Sequence, residues 1–169
     1  GSDQDGFDQR FLEIRTQSLV AATGCIERPL IFNNNERPGV MQVGCAHRLL
    51  NTYGIVPGSR AVFSIGHDNG LEAAIDLHDH GLDIACITDV REDGQDDALL
   101  KKIRARRIPF LPAWTSLEAQ GRKTVSGAVV GSIDGAGQQK YRCDIIVASA
   151  GLTPLTGLLT INQGKLEYD

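Results

Sequence analysis

Between residues 60 and 114 the chain alternates between strand and helix period, and that alternation limits the folds open to it more than any other feature. "RAVFSI" (60–65) is an apolar run of strand length, introduced by the turn-forming "VPGS". "LEAAIDLHDHG" (71–81) places Leu71, Ala74, Ile75 and His78 toward one side of a helix and stops on Gly81. "LDIACIT" (82–88) is a second apolar strand, and "DDALLKKIRARR" (96–107) a second helix. In that helix Asp96 or Asp97 serves as N-cap, with Leu99, Leu100 and Ile103 on the buried face. "IPFLPAW" (108–114) is a third strand, whose prolines put it at an edge or a strand end. Strand, helix, strand, helix, strand with short links means a parallel sheet of right-handed βαβ units.

The flanks fit around that unit. "FLEIRTQSLVAATG" (11–24) reads as a buried strand closing on a small-residue turn, and "CIERPLIFNNNERPG" (25–39) as a loop. Val40, Val43, Ala46, Leu50 and Tyr53 recur at helical spacing, with Gly54 placed to end the helix. "KTVSGAVVGSI" (123–133) and "QQKYRC" (138–143) flank "DGAG" as a β-hairpin, and "DIIVASAG" (144–151) returns as a central parallel strand. The expected fold class is α/β: a Rossmann-like parallel sheet with flanking helices and a β-hairpin or meander.

The stretch "SIGHDNGLEAAIDL" (64–77) lies where such a sheet holds a dinucleotide, after a strand and at the start of a helix. Gly66 supplies the sharp departure from the strand, and Gly70 permits close helix–strand packing. Asp68 stands where G-x-G-x-x-G has its second glycine, and the spacing is one residue short. A carboxylate there repels a diphosphate unless it turns away or is bonded within the turn. Asn69 is suited to a tight turn and can donate to a phosphate oxygen. Asp89 follows Gly66 by 23 positions, at the end of the next strand, where an acidic residue binds a ribose 2′-hydroxyl. Asp89 is equally suited to begin a loop. Arg91 would attract a 2′-phosphate instead, so both NAD and NADP remain open, with Asp89 favouring NAD.

Other chemistries find little support. A formal net charge of −4 over 169 residues argues against a nucleic-acid surface, and "KKIRARR" (101–107) reads as the solvated face of a helix. Cys25, Cys45, Cys86 and Cys143 show no metal-ligand rhythm, and Cys86 and Cys143 sit in or beside apolar runs as buried thiols. His78, Asp79 and His80 alternate along a helix end and do not make a metal site; His47 reads as a helix-surface residue and Trp114 as packing. No nucleophile–base set can be assembled, so no catalytic residue is assigned. No stretch approaches the ~20 apolar residues of a membrane span and no secretory leader is evident, so the expectation is a cytoplasmic protein. The chain starts at Gly-Ser and stops at "GKLEYD" without a finished element, as a piece of a longer protein would.

"LVAATGCIERPLIFNNNERPGVM" (19–41) resembles the alpha subunit of heterotetrameric sarcosine oxidase and related pyridine-nucleotide-disulfide-oxidoreductase-like flavoproteins. The resemblance continues through "RLLNTYGIVPGSRAVF", the Asp-bearing turn and "CDIIVASAGLTPLTGLL". It implies an NAD-binding domain inserted in an FAD domain: residues 38–150 as the insert, 1–37 as the outgoing FAD-domain segment and connecting loop, and 151–169 as the return. Gly151 would then lie near the junction. It also implies that the Asp68 turn is a trait of the family, that FAD is held only by the full-length parent, and that other subunits of an oxidase complex are partners. The thioredoxin-reductase-like members carry a redox C-x-x-C, which this chain lacks. Two readings follow: a dinucleotide-binding domain, or an interface module with a vestigial nucleotide site. An open crevice at Gly66, Asn69 and Asp89 favours the first, and a crevice filled by the chain's own side chains favours the second.

Overall fold

A computed structural model describes residues 11–161 and Lys165. The chain divides into two compact units, residues 25–153 on one hand and residues up to 24 with those from 154 onward on the other. The larger unit holds a five-stranded, all-parallel sheet of order β2-β9-β3-β4-β5. Its strands are β2 (Val40–Met41), β3 (Arg60–Ile65), β4 (Asp83–Asp89), β5 (Phe110–Pro112) and β9 (Ile145–Ser149). An antiparallel meander of β6 (Trp114–Gln120), β7 (Gly127–Ser132) and β8 (Gln138–Tyr141) forms a second sheet. β1 (Cys25–Arg28) and β10 (Gly151–Pro154) form a short pair.

Each parallel strand divides its residues between two cores, because successive side chains leave a strand on opposite faces. Phe63, Ile65, Ile145 and Val147 pack against α1 (Val43–Tyr53), α2 (Asp68–Asp79) and α3 (Asp97–Ala105), through Leu50, Leu71, Leu77 and Ile103. Val62, Ile146 and Ala148 face the meander, against Ala119, Ala128 and Val130. The β3–β4 register slips between Ala61, opposite Ile84, and Val62, opposite Cys86, so that Ala85 is an extra residue in β4. Ala85 and Cys86 accordingly both belong to the meander core. A buried polar peg joins the layers: Ser64 Oγ and Thr88 Oγ1 share a hydrogen bond of 2.8 Å, and Ser116 N donates to Ser64 Oγ at 2.9 Å.

The alternating core of the sheet, the hairpin and the central position of β9 are as the sequence indicates. Several boundaries differ. Residues 11–24 carry no strand and are largely exposed, with Val20 at 90%; the apolar run reads as buried only if a layer covers it. In the same unit, Leu155 N donates to Gly24 O at 2.9 Å ahead of the short α4 (Gly157–Ile161). Residues 25–39 are more than a loop, since β1 begins at Cys25 and Asn33 bridges to Glu118. Val40 and Met41 form the edge strand β2, and α1 begins only at Val43, because the Glu27 carboxylate caps it from a distance. The run after the third strand, "TSLEAQ", forms most of β6, separated from β5 by Ala113 at φ 56°.

The Asn-rich stretch is a strap on the meander. Asn33 N donates to Leu117 O at 3.0 Å and Ala119 N to Asn33 O at 2.9 Å. Asn34, at φ 63°, donates from Nδ2 to Ala119 O at 3.1 Å, and Arg37 donates to Gly121 O. Gly39, at φ 105°, has no room for a side chain: a Cβ would meet Asp144 O at 2.8 Å and Val125 Cβ at 2.9 Å.

Candidate functional site

The site is built where β3 hands the chain to α2, at the carboxyl edge of the central strands, which is where open α/β sheets bind ligands. Both glycines of the turn are forced by crowding. A Cβ on Gly66 would lie 2.7 Å from Ala150 O, the carbonyl just before Gly151, and 3.0 Å from Val90 Cγ2. A Cβ on Gly70 would lie 2.6 Å from Ile65 Cγ2, so the helix rests directly on its strand. Gly151 itself opens β10 at φ 141° with open space about its Cα, so its role there is backbone conformation.

The helix starts three residues earlier than its apolar spacing indicates. His67 is its N-cap in extended conformation, and Asp68, Asn69 and Gly70 form its first turn. An acidic side chain in that turn complements the positive end of the helix dipole, which explains the early start at Asp68.

Asp68 does not stand alone. Arg91 Nη2 donates to Asp68 Oδ1 and to Asp89 Oδ2, each at 2.8 Å. Arg91 Nε and backbone N donate to Asp89 Oδ1 at 3.1 and 2.9 Å. Asp89 is wholly buried, whereas the Arg91 and Asp68 side chains are 27% and 37% exposed. The Asp89 carboxylate first, and Asp68 after it, holds the Arg91 guanidinium charged far above the physiological range against the opposing cost of burial. Thus the acidic residue and the Arg that the sequence offers as alternatives for a ribose form one cluster with Asp68.

A cavity of about 120 Å³ lies beside the turn, lined by Asn69, His67, His47, Glu27, Val43, Gly44 and Leu152. It sits between the first turns of two helices. Glu27 Oε1 accepts from Val43 N and Oε2 from Gly44 N, both at 2.8 Å, so the α1 end already holds a carboxylate. His67 Nε2 and the buried Ser149 Oγ share a hydrogen bond of 2.8 Å, while Nδ1 of His67 is buried without a partner among the described residues. Burial lowers the His67 pKa, so the ring is held neutral. Glu27, His67 and Ser149 were not singled out by sequence reasoning. The only signals were the Glu-Arg-Pro triplet and a histidine directly after Gly66.

The discounted features stay apart from this site, except His47, which lines the cavity beside the turn. Burial pushes the Cys86 thiol up to about 12 and Cys143 up to about 11, as expected of buried, unreactive thiols. His78 Nδ1 and His80 Nδ1 are engaged by the carbonyls of Leu82 and Asp76. Among the described residues no group of three His, Cys, Asp or Glu is arranged to hold a metal, and no helix is long and apolar enough to cross a membrane. His47 Nε2 pairs with Asp76 Oδ2 at 2.9 Å between α1 and α2, and Trp114 packs partly buried against the meander core.

Solved structures with the same fold include a thioredoxin reductase and an FAD-dependent pyridine nucleotide-disulphide oxidoreductase. Thioredoxin reductase from T. acidophilum superposes with a TM-score of 0.67 at 21% identity, over 87% of this chain and 47% of that one. An FAD-dependent pyridine nucleotide-disulphide oxidoreductase from Desulfovibrio vulgaris gives 0.60 at 18% identity, over 86% and 38%. In sequence the chain is similar to sarcosine oxidase subunit alpha. The protein from Corynebacterium sp. (strain P-1) is 28% identical over 165 residues, and that from Rhizobium meliloti (strain 1021) 29% over 160. Those matches take in 95% and 93% of this chain but only 17% and 15% of the relatives' own length. No protein-family model matches the chain.

Proposed function

We propose that this chain is the NAD-binding portion of an FAD- and NAD-linked oxidoreductase of the sarcosine oxidase alpha-subunit type. The observation that carries the reading is the crowded turn at Gly66 and Gly70, where neither glycine has room for a Cβ and the backbone ends in a free helix start. Such a turn suits a pyrophosphate, with Asn69 as a side-chain donor and Asp89 and Arg91 at the ribose end. Gly151 borders the turn through the preceding carbonyl. The nicotinamide ring, when bound, supplies hydride transfer; the chain's own residues bind and orient the dinucleotide, and none is assigned a catalytic role.

On this reading residues 38–150 form the inserted domain, and 1–37 and 151–169 belong to the FAD domain of a longer cytoplasmic parent. FAD, amine oxidation and the other oxidase subunits belong to that parent. NAD is preferred to NADP because the exposed and buried carboxylates about Arg91 disfavour a further phosphate. The test is a calorimetric titration with NAD, NADH and NADP in parallel, repeated on Asn69→Asp. Saturable NAD or NADH binding that Asn69→Asp abolishes is the expected result; absence of binding in the unaltered chain sinks it.

One observation favours a second reading, an interface module whose nucleotide site is vestigial. Arg91 takes both oxygens of the buried Asp89, so the ribose end of the crevice is filled by the chain's own side chains.

A further inference from the structure

A dinucleotide seated on the first turn of α2 brings two phosphate charges toward Asp68, the first residue of that helix. A bare carboxylate there would oppose it, since like charges placed together across an interface are strongly disfavoured. Arg91 removes that opposition from 23 positions away in the sequence, meeting Asp68 Oδ1 at 2.8 Å. It holds that position because Asp89 fixes it. The wholly buried carboxylate of Asp89 takes the backbone N, Nε and Nη2 of Arg91 at 2.9, 3.1 and 2.8 Å. Both oxygens of Asp89 face Arg91 donors and the residue is wholly buried, which makes it a poor acceptor for a ribose hydroxyl. Arg91 Nη1, by contrast, has no hydrogen-bond partner among the described residues, and a guanidinium carries two N–H donors on that atom. Asp68, Asp89 and Arg91 together carry a net charge of −1; Asp89 is wholly buried, so Asp68 is the carboxylate that Arg91 shields toward solvent.

We propose that Arg91 is the counter-charge that lets an Asp-bearing turn accept a diphosphate, donating from Nη1 to the ligand's phosphate, with Asp89 as the positioning residue that holds Arg91 in place. The inference rests on the nucleotide-binding reading above. It moves Asp89 from the ribose to the second rank and gives Asp68 a partner where a glycine would otherwise be needed.

The experiment is a double-variant cycle on the whole chain, with ADP and NAD as ligands and calorimetry as readout. Arg91→Gln should weaken both ligands about tenfold or more, the loss of a charge-assisted hydrogen bond and of the shield over Asp68. Asp68→Asn alone should change binding by less than about twofold, because Arg91 already offsets that charge, whereas in the Arg91→Gln background it should recover most of the loss. A purely structural role for Arg91 gives no such recovery, so equal weakness of the single and double variants overturns the proposal. Should Arg91→Gln fail to fold, Arg91→Lys replaces it in the same cycle: Asp68→Asn tightening the Arg91→Lys variant more than the unaltered chain supports the proposal, and an equal effect in both overturns it. An unaltered chain that binds neither ligand brings down the nucleotide reading and this inference together. Binding with an additive cycle brings down the inference only.

Discussion

The Asn-rich strap at 29–41 and the turn at 65–70 are the two stretches of most unusual composition, and they use it in opposite ways. In the strap, side chains do the work: Asn34 and Arg37 donate to carbonyls of the meander, and the asparagine tolerates a left-handed backbone. In the turn it is missing side chains that matter, since Gly66 and Gly70 let a carbonyl and a strand approach to distances no Cβ permits. The strap carries the most distinctive part of the sarcosine-oxidase-like sequence, yet its bonds run to backbone inside the fold. The lesson is that a distinctive stretch reports how closely its backbone is tied down. A ligand site has to be argued separately, from what is left free.

Substitutions can break that contrast, starting with the severest. Gly70→Val forces a side chain to within 2.6 Å of Ile65 and should cost about 3 kcal/mol by overpacking. It should also abolish NAD binding; urea unfolding and calorimetry read the two effects. A variant with unaltered stability would show that helix and strand have room to separate. Asn34→Ala strains a backbone at φ 63° and removes one hydrogen bond, a loss of about 2 kcal/mol. Asn34→Gly relieves the backbone and should recover about half of that. Because the strap only braces, neither change should alter the NAD dissociation constant by more than about twofold. A larger change in affinity would show that the strap reaches the ligand.

Smaller effects sharpen the comparison at the helix ends. Glu27→Gln weakens the bidentate cap on Val43 and Gly44 and should cost about 1 kcal/mol in chemical denaturation. No loss would mean that water serves the α1 terminus equally well. The least effect concerns His67, whose pKa burial depresses below its ordinary 6.5. The unfolded chain then binds the proton more readily than the folded one. Its contribution to stability is therefore present above pH 6.5 and falls away as the pH drops toward and through the depressed value. In His67→Gln the unfolding free energy should lose that part of its slope on the acid side. An identical slope in both proteins would show that other groups govern it.

The parallel sheet was legible because strands covered on both faces leave long apolar runs, as in "VFSI" and "DIIVAS". The glycines of the turn were legible for the same local reason. What escaped depends on groups far apart in the chain. α1 begins where Glu27 caps it, 16 positions upstream of Val43, while residue spacing alone extends the helix to Val40. β6 is half-buried with mixed side chains, so its strand period is faint until Asn33 and β7 are placed beside it. The apolar run at Leu19–Val20 lacks the cover its composition suggests among the described residues. Asp68, Asp89 and Arg91 were each singled out, but only the fold joins them: the sequence offered Asp89 and Arg91 as alternatives at the ribose and Asp68 as an obstacle in the turn, and the structure binds all three into one cluster.

The extra residue at Ala85 decides on which side of the sheet that cluster forms. Counting along β4 from Ile84 with strict alternation would send Cys86 and Thr88 toward the helices and Asp89 toward the meander. Inserting one residue reverses the parity of everything after it. Ile87 then joins the helix-side core, Thr88 meets Ser64 at 2.8 Å on the meander side, and Asp89 comes alongside Ile65 on the side from which α2 rises. A single unpaired residue four positions before the end of the strand thus acts as a phase setting. Restoring even alternation would keep the strand and its sequence chemistry while delivering the carboxylate to the wrong face, out of reach of Asp68.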